Sequence, residues 1–177
     1  IDSYDTVWTG SWDGINRHST NGKINKPLWT FPSVNVHSFL EDNNFNVWIG
    51  SDNGLGRYNL NTGRLDIFTN EPKNPKALSN NTVYNMMMDK DQNIWLGTGG
   101  GLSRLIKGTE NGIPEFLNWR SPASELPSND VYCIVDGGDG TIWMSCGNMI
   151  SHFFPGQNKF RNYDHNDGLP GENFRGM

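Results

Sequence analysis

Residues 93–105 read NIWLGTGGGLSRL, and the three consecutive glycines Gly99, Gly100 and Gly101 have the look of a phosphate cradle. Such a loop holds an anion when it feeds a helix N-terminus, whose free N–H groups point at the ligand. Here it leads into Leu102-Ser103-Arg104-Leu105 and Lys107-Gly108, with neither a capping residue nor a helical apolar stripe. The phosphate reading fails. Asp89-Lys-Asp91-Gln-Asn93 imitates the start of a calcium loop, but its sixth position is Ile94 instead of glycine and its twelfth is Gly100 instead of glutamate. An Asx-type turn accounts for that segment better. His18, His37, His152 and His165 have no ligand spacing, and no Ser/His/Asp order or Gly-x-Ser-x-Gly elbow occurs. These motifs call for no cofactor, no metal and no catalytic residue.

The elements that would position any chemistry follow from composition and repeats. The 177 residues include 21 Gly and 9 Pro, with 12% aromatic and only 19% charged residues, a profile of short strands joined by tight turns. A net charge of −5 and a pI near 5.2 argue against nucleic acid as a partner. No run of 18 apolar residues is present, so no direct membrane insertion is expected. A start at Ile1, with no signal-peptide pattern, suggests a piece of a longer parent. Cys133 and Cys146 are too few for a disulfide framework. They fall on neighbouring strands of one hairpin, where a bridge is conceivable and buried free thiols are favoured.

One frame occurs four times. It centres on Trp8, Trp48, Trp95 and Trp143, at steps of 40, 47 and 48 residues. Seven residues after each Trp stands Ile15, Leu55, Leu102 or Ile150; nine after stands Arg17, Arg57, Arg104 or His152. Gly10, Gly50 and Gly97 follow the Trp by two residues, with Ser145 as the exception. Gly14, Gly54 and Gly101 follow by six, with Met149 as the exception. Asp2, Asp42 and Asp89 precede it by six, and Asp136 is displaced by one. Each unit closes on an aromatic segment: LWTF (28–31), LDIF (65–68), FLNW (116–119) and FRNY (160–163).

A four-stranded unit of this length, repeated head to tail, is a propeller blade whose faces are buried by its neighbours. The expected fold is all-β: four four-stranded blades, with residues 1–177 forming a single propeller segment. The tail 167–177 matches 125–134, which places the seam between 177 and 1 inside one hairpin. The segment could close on itself, form an arc of a larger seven- or eight-bladed propeller, or pair as a homodimer sharing one ring. The repeated Trp should pack between blades. The Asp and Arg copies read as turn and edge-strand residues, since one active site does not need four copies. Within the glycine run, the other copies carry Trp12-Asp13-Gly14 and Asp52-Asn53-Gly54, and Asp, Asn and Gly interchanging at one spot mark a hairpin turn with positive φ.

The pattern Val-x-x-Φ-x-x-Asp-x-x-x-Asn-Ile-Trp-Φ-Gly-Thr-x-x-Gly-Leu-x-Arg (Φ apolar) at residues 83–104 resembles the two-component regulator propeller repeat. The Leu-Pro-Ser-Asn lead-in (126–129) and the Asp-Gly-Leu-Pro tail (167–170) resemble its opening. The resemblance implies a periplasmic, ligand-sensing propeller of a Bacteroides-type hybrid two-component system, probing for a glycan or oligosaccharide. Its parent would be anchored in the inner membrane and carry further blades, a histidine kinase and an output module. Ligand binding is expected where the copies differ. Trp12 and the fourth-to-first-strand connections share one rim, offering Glu71, Lys73, Arg120, Glu125, His165 and Asp167. A planar aromatic with charged hydrogen-bonders suits a sugar, especially an acidic one facing Arg and Lys. The alternatives are a propeller glycoside hydrolase or lyase and a purely structural dimerisation scaffold.

Overall fold

The computed structural model describes residues 1–11, 14–19, 35–106 and 112–169. Apart from a 3-10 turn at His165–Asp167, every regular element is a strand. Blade 1 contributes β1 (Thr6–Ser11) and β2 (Gly14–Ser19), a two-stranded antiparallel sheet. Blade 2 is β3 (Val36–Glu41), β4 (Asn46–Ser51), β5 (Gly54–Asn59) and β6 (Leu65–Phe68). Blade 3 is β7 (Val83–Met88), β8 (Ile94–Thr98), β9 (Gly101–Leu105) and β10 (Phe116–Trp119). Blade 4 is β11 (Val131–Asp136), β12 (Ile142–Cys146), β13 (Met149–Phe154) and β14 (Lys159–Tyr163). The LWTF segment expected to complete blade 1, and residues 170–177 of the tail expected to close the seam, lie outside the described residues.

Each sheet is an antiparallel meander in chain order. The first strands of successive blades touch one another, β3 with β7 and β7 with β11. They therefore form the inner wall, as the blades of a propeller require. The core lies between blades. Trp48 and Leu55 of blade 2 cluster with Val83, Ile94, Leu96 and Phe116 of blade 3. Trp95 and Leu102 of blade 3 cluster with Val131, Ile134, Met144 and Phe153 of blade 4. Ile15 of blade 1 joins Val47, Ile49 and Tyr58 of blade 2, with Trp8 packed against them. One blade has two apolar faces and buries neither alone, which is why the frame must repeat.

The repeated glycines have two separate causes. A Cβ on Gly97 would stand 2.6 Å from the Val131 carbonyl oxygen of the next blade, so the glycine two residues after Trp permits close approach between blades. In the glycine run, the left-handed φ sits on Gly101 (+116°), as it does on Gly54 (+120°) and Gly14 (+126°). The turn thus has the positive φ that the sequence called for, and among the described residues before it Asp52, Asn53, Gly99 and Gly100 do not take it. In blades 2 and 3 only the third residue of the turn, glycine in both, takes the conformation that L side chains avoid, whereas in blade 4 the first, Gly147, takes it at +56°. The two cysteines are free thiols. Cys146 is buried and donates to the Ser128 carbonyl at 2.9 Å, and burial pushes its thiol up to about 11.

Candidate functional site

Three blades bring side chains together at the inner wall, on the rim formed by the second-to-third-strand turns. The antiparallel register of each inner strand slips at one residue: between Val36 and Ser38, Val83 and Asn85, and Val131 and Cys133. The residues at these slips in register are His37, Tyr84 and Tyr132. A bulge takes a residue out of the pleat and re-aims its side chain. Three bulges in register set three rings side by side across three blades. Ring centroids are 5.6 Å apart for His37–Tyr84 and 5.1 Å for Tyr84–Tyr132, with interplanar angles of 59° and 51°. Both tyrosines are half-buried.

Backbone hydrogen bonds tie the turns to this wall. The N–H groups of Asp52, Gly99 and Gly147, all four residues after their Trp, donate to the carbonyls of Asn35, Thr82 and Asp130 at 3.1, 3.0 and 2.9 Å. In blade 2 the turn residue covers its ring, with Asp52 Oδ1 2.7 Å from His37 Nε2. In blades 3 and 4 that position is glycine. Beside Tyr132 lies a cleft of about 370 Å³ whose lining includes Ser128, Asp130, Gly147, Asn148 and Met149. That volume falls at the lower end of the range for small-molecule sites. The arrangement is an aromatic ledge with carboxylates at its edge: a surface for stacking and hydrogen bonding.

The opposite rim carries the repeated polar frame. The indole N–H groups of Trp8, Trp48 and Trp95 each donate to the preceding Asp2, Asp42 or Asp89 at 2.8 Å. The same carboxylates accept backbone N–H groups two and four residues on, from Tyr4 and Thr6, Asn44 and Asn46, and Asp91 and Asn93. The calcium-like segment is thus an Asx turn whose carboxylate is filled by donors. Burial opposes ionisation of Asp2 and Asp89, but these donors outweigh it and hold both carboxyls below 3.8. Each repeated Arg stacks on its Trp, with Arg17, Arg57 and Arg104 at 5.0, 5.9 and 5.3 Å from the ring centroids. Arg17 also donates to the Tyr58 hydroxyl across the blade boundary, whereas Arg57 pairs with Asp66 within its own sheet at 2.8 Å. Crevices of about 130, 140 and 220 Å³ open beside Asp2, Asp42 and Asp89 at successive blade boundaries, so they belong to the repeat itself.

The residues chosen from sequence as ligand contacts are dispersed. Trp12 lies outside the described residues. Glu71, Lys73, Arg120, Glu125, His165 and Asp167 are exposed on three successive connections, and no hydrogen bond or ion pair joins any two of them among the described residues. Several have local duties. Arg120 donates to the Ser79 carbonyl at 3.4 Å, and the Glu125 carbonyl accepts from Asn162. Asp167 accepts the Asp164 N–H in a capping box. The ledge was missed, although a signal existed: the residue after each inner-strand Val is His37, Tyr84 or Tyr132, always aromatic and always polar.

Stacked antiparallel sheets around a common inner wall define a β-propeller. Residues 77–100 and 125–148 match the two-component regulator propeller, so the chain carries repeats of that type. No curated protein sequence matches it. It is similar in structure to the extracellular domain of a B. thetaiotaomicron hybrid two-component system, with TM-score 0.76, 16% identity, and coverage of 93% of this chain and 24% of that one. A second B. thetaiotaomicron extracellular domain, of a one-component system, gives TM-score 0.73, 23% identity, and coverage of 93% and 21%. Virginiamycin B lyase from Staphylococcus aureus, crystallised with quinupristin, gives 0.66, 18%, and coverage of 99% and 56%. The chain spans under a quarter of the length of the two B. thetaiotaomicron domains.

Proposed function

We propose that this propeller is an extracytoplasmic sensing segment of a two-component regulator, periplasmic in its parent, which recognises a glycan and performs no chemistry itself. The observation that carries this reading is the pair of two-component regulator propeller repeats, built on the frame that recurs around Trp8, Trp48, Trp95 and Trp143. The extracellular setting of the two B. thetaiotaomicron neighbours supports the location. The parent would be a histidine kinase anchored in the inner membrane, with further blades, and a dimer of it would carry the signal. Ligand acts by differential affinity for two arrangements of propellers or protomers, and the favoured arrangement is passed across the membrane. Deleting this segment from the parent regulator is expected to abolish glycan-dependent transcription. Unchanged induction in the deletion strain would refute the reading.

A second reading has one observation in its favour. His37 and Asp52 form an acid–base pair at 2.7 Å on the ledge rim, an arrangement able to hold and move a proton. A hydrolase or lyase would release reducing ends or unsaturated products from a polysaccharide panel, and His37→Ala would stop the release. A sensor releases none.

A further inference from the structure

We propose that Phe45 and Tyr4, exposed side by side where blade 2 meets blade 1, form a stacking platform for an uncharged oligosaccharide. This rests on the sensing reading above and gives it a site and a ligand class. Phe45 carries the argument. It stands three residues before its Trp, in the turn that leads into the Trp-bearing strand. That register takes a left-handed φ in every blade: +57° at Asp5, +58° at Phe45, +62° at Gln92 and +87° at Gly140. Polar residues or glycine fill it in the other three copies. A bulky L side chain is strained in this conformation. Packing does not offset the strain, for Phe45 is 44% exposed and belongs to none of the three buried clusters among the described residues. A strained ring that the core does not use points to a use outside the fold.

The ring beside it is Tyr4, 55% exposed, with centroids 6.2 Å apart and planes at 45°. Both rings are held in place. The Tyr4 N–H donates to Asp2 Oδ1 at 3.0 Å and its hydroxyl to Asn61 Oδ1 at 2.9 Å. Ser3 donates its N–H and hydroxyl to the two Glu41 oxygens at 2.7 and 2.6 Å. The Phe45 carbonyl accepts the Leu60 N–H at 2.8 Å, so the turn after β5 anchors both rings. Carboxamides surround them. The Asn61 amide nitrogen and the Asn43 and Asn44 side chains make no hydrogen bond among the described residues. Asn43 and Asn44 also line the crevice of about 140 Å³ toward blade 3. An aromatic face stacks on the C–H face of a sugar ring, and amides give and accept hydrogen bonds with its hydroxyls. A path from Tyr4 over Phe45 to that crevice crosses the whole turn of blade 2, which suits a chain of sugar units. Glu41 is engaged by Ser3, and the exposed Asp5 beside Tyr4 repels uronate and sulfate groups. The acidic sugar expected from the loop cations is therefore disfavoured at this site.

The test is calorimetric titration of the 177-residue chain with gluco-, xylo-, manno- and arabino-oligosaccharides and with a matched panel bearing uronate or sulfate. A neutral member is expected to bind, and Phe45→Asn or Tyr4→Ala to weaken it roughly tenfold each. Asparagine tolerates the left-handed turn, so Phe45→Asn is expected to raise the melting temperature by about 2 °C while binding is lost. Neutral binding that both variants retain would overturn the platform and leave the sensing reading standing. A melting temperature that falls in Phe45→Asn would assign the ring to the fold and overturn the platform as well. Self-association of the wild-type chain in sedimentation, abolished by Phe45→Asn, would give the rings to a second copy instead of a sugar. Binding confined to the anionic panel would overturn the ligand class. No binding by wild type to either panel would overturn the platform and the glycan reading together.

Discussion

In blade 3 the Trp95 indole N–H ends on the Asp89 carboxylate, Arg104 lies over the ring at 5.3 Å, and the side chain is 1% exposed. In blade 4 the equivalent Trp143 is half-buried and stacks on His152 at 3.9 Å and 11°, with Tyr163 at 5.7 Å. Asp136, one position out of register, accepts the Gly138 N–H, and Asp139 turns to Thr141. Thr141 in turn meets His152 Nε2 at 2.7 Å. Both blades fold as four-stranded meanders. The polar clasp is therefore one way of fixing the Trp, and a stacked aromatic pair is another. What both blades share is the apolar inner face, Val83, Met86, Ile94 and Leu96 in one and Val131, Ile134, Ile142 and Met144 in the other. The fold rests on that face; the clasp sets how firmly each Trp is held.

The largest break in this comparison should come from the Trp residues themselves. Trp95 packs on Trp119 at 5.5 Å and on Phe153 of blade 4 at 6.0 Å, so Trp95→Ala empties a blade boundary. A loss of about 3–5 kcal/mol in urea unfolding is expected. Trp143→Ala, at a half-exposed site, should cost about 1–2 kcal/mol. Equal losses would mean that the two boundaries are held alike.

Next come the glycines two residues after Trp. An alanine methyl at Gly97 meets the Val131 carbonyl oxygen, a backbone atom with little room to move, and should cost about 1–3 kcal/mol. Blade 4 already carries Ser145 here, with its Oγ accepting the Cys133 N–H at 3.1 Å. Ser145→Gly removes one hydrogen bond and should cost about 1 kcal/mol. Thermal denaturation of the two variants reads the difference directly.

The carboxylates rank third. Asp89→Asn puts an amide where two oxygens now accept from Trp95, Asn93 and Asp91, and about 1–2 kcal/mol should be lost. Asp136→Asn, at the exposed end of β11, should stay within about 0.5 kcal/mol. The same carboxylates predict the acid limb. Asp2 and Asp89 hold their folded-state pKa below 3.8, and so does Asp66, chiefly through its hydrogen bond from Arg57. The stability they contribute is present above 3.8 and is lost as pH falls through the lower folded-state values. Asp89→Asn should flatten that limb in a stability–pH profile.

How much of this was legible in the sequence follows from what repeats. Trp, Gly, Leu and Arg at fixed offsets gave the blades, because a residue that packs between neighbours must recur in every copy. The Asp at minus six was legible as a turn residue, but its bond to the indole N–H was not, since nothing in the spacing says which way a carboxylate faces. The positive φ of the hairpin turn was legible, but not which residue carries it, because Asp, Asn and Gly are exchangeable there for reasons of chain exposure as well as of conformation. The ledge escaped because loop differences drew attention while His37, Tyr84 and Tyr132 sit inside strands. A bulge is a register fact, set by pairing with β4, β8 and β12, and pairing is visible only in three dimensions.

The smallest expected effect separates stacking from charge. His152 occupies the register of Arg17, Arg57 and Arg104 and packs face to face on Trp143, with Phe154 4.2 Å away on the same strand. A guanidinium is also planar and would cover the same indole face, so His152→Arg keeps the stack. It loses the contact with Thr141, and the register gives it no carboxylate like Asp66, which pairs with Arg57. The stack is kept and one polar contact is lost, so stability should fall by only about 0.5 kcal/mol. His152→Ala removes the stack outright and should cost about 1 kcal/mol more than the arginine variant. If arginine proves as damaging as alanine, the polar partner holds Trp143 and the ring does not, and blade 4 is then a clasp of the blade 3 kind with Thr141 standing in for the carboxylate.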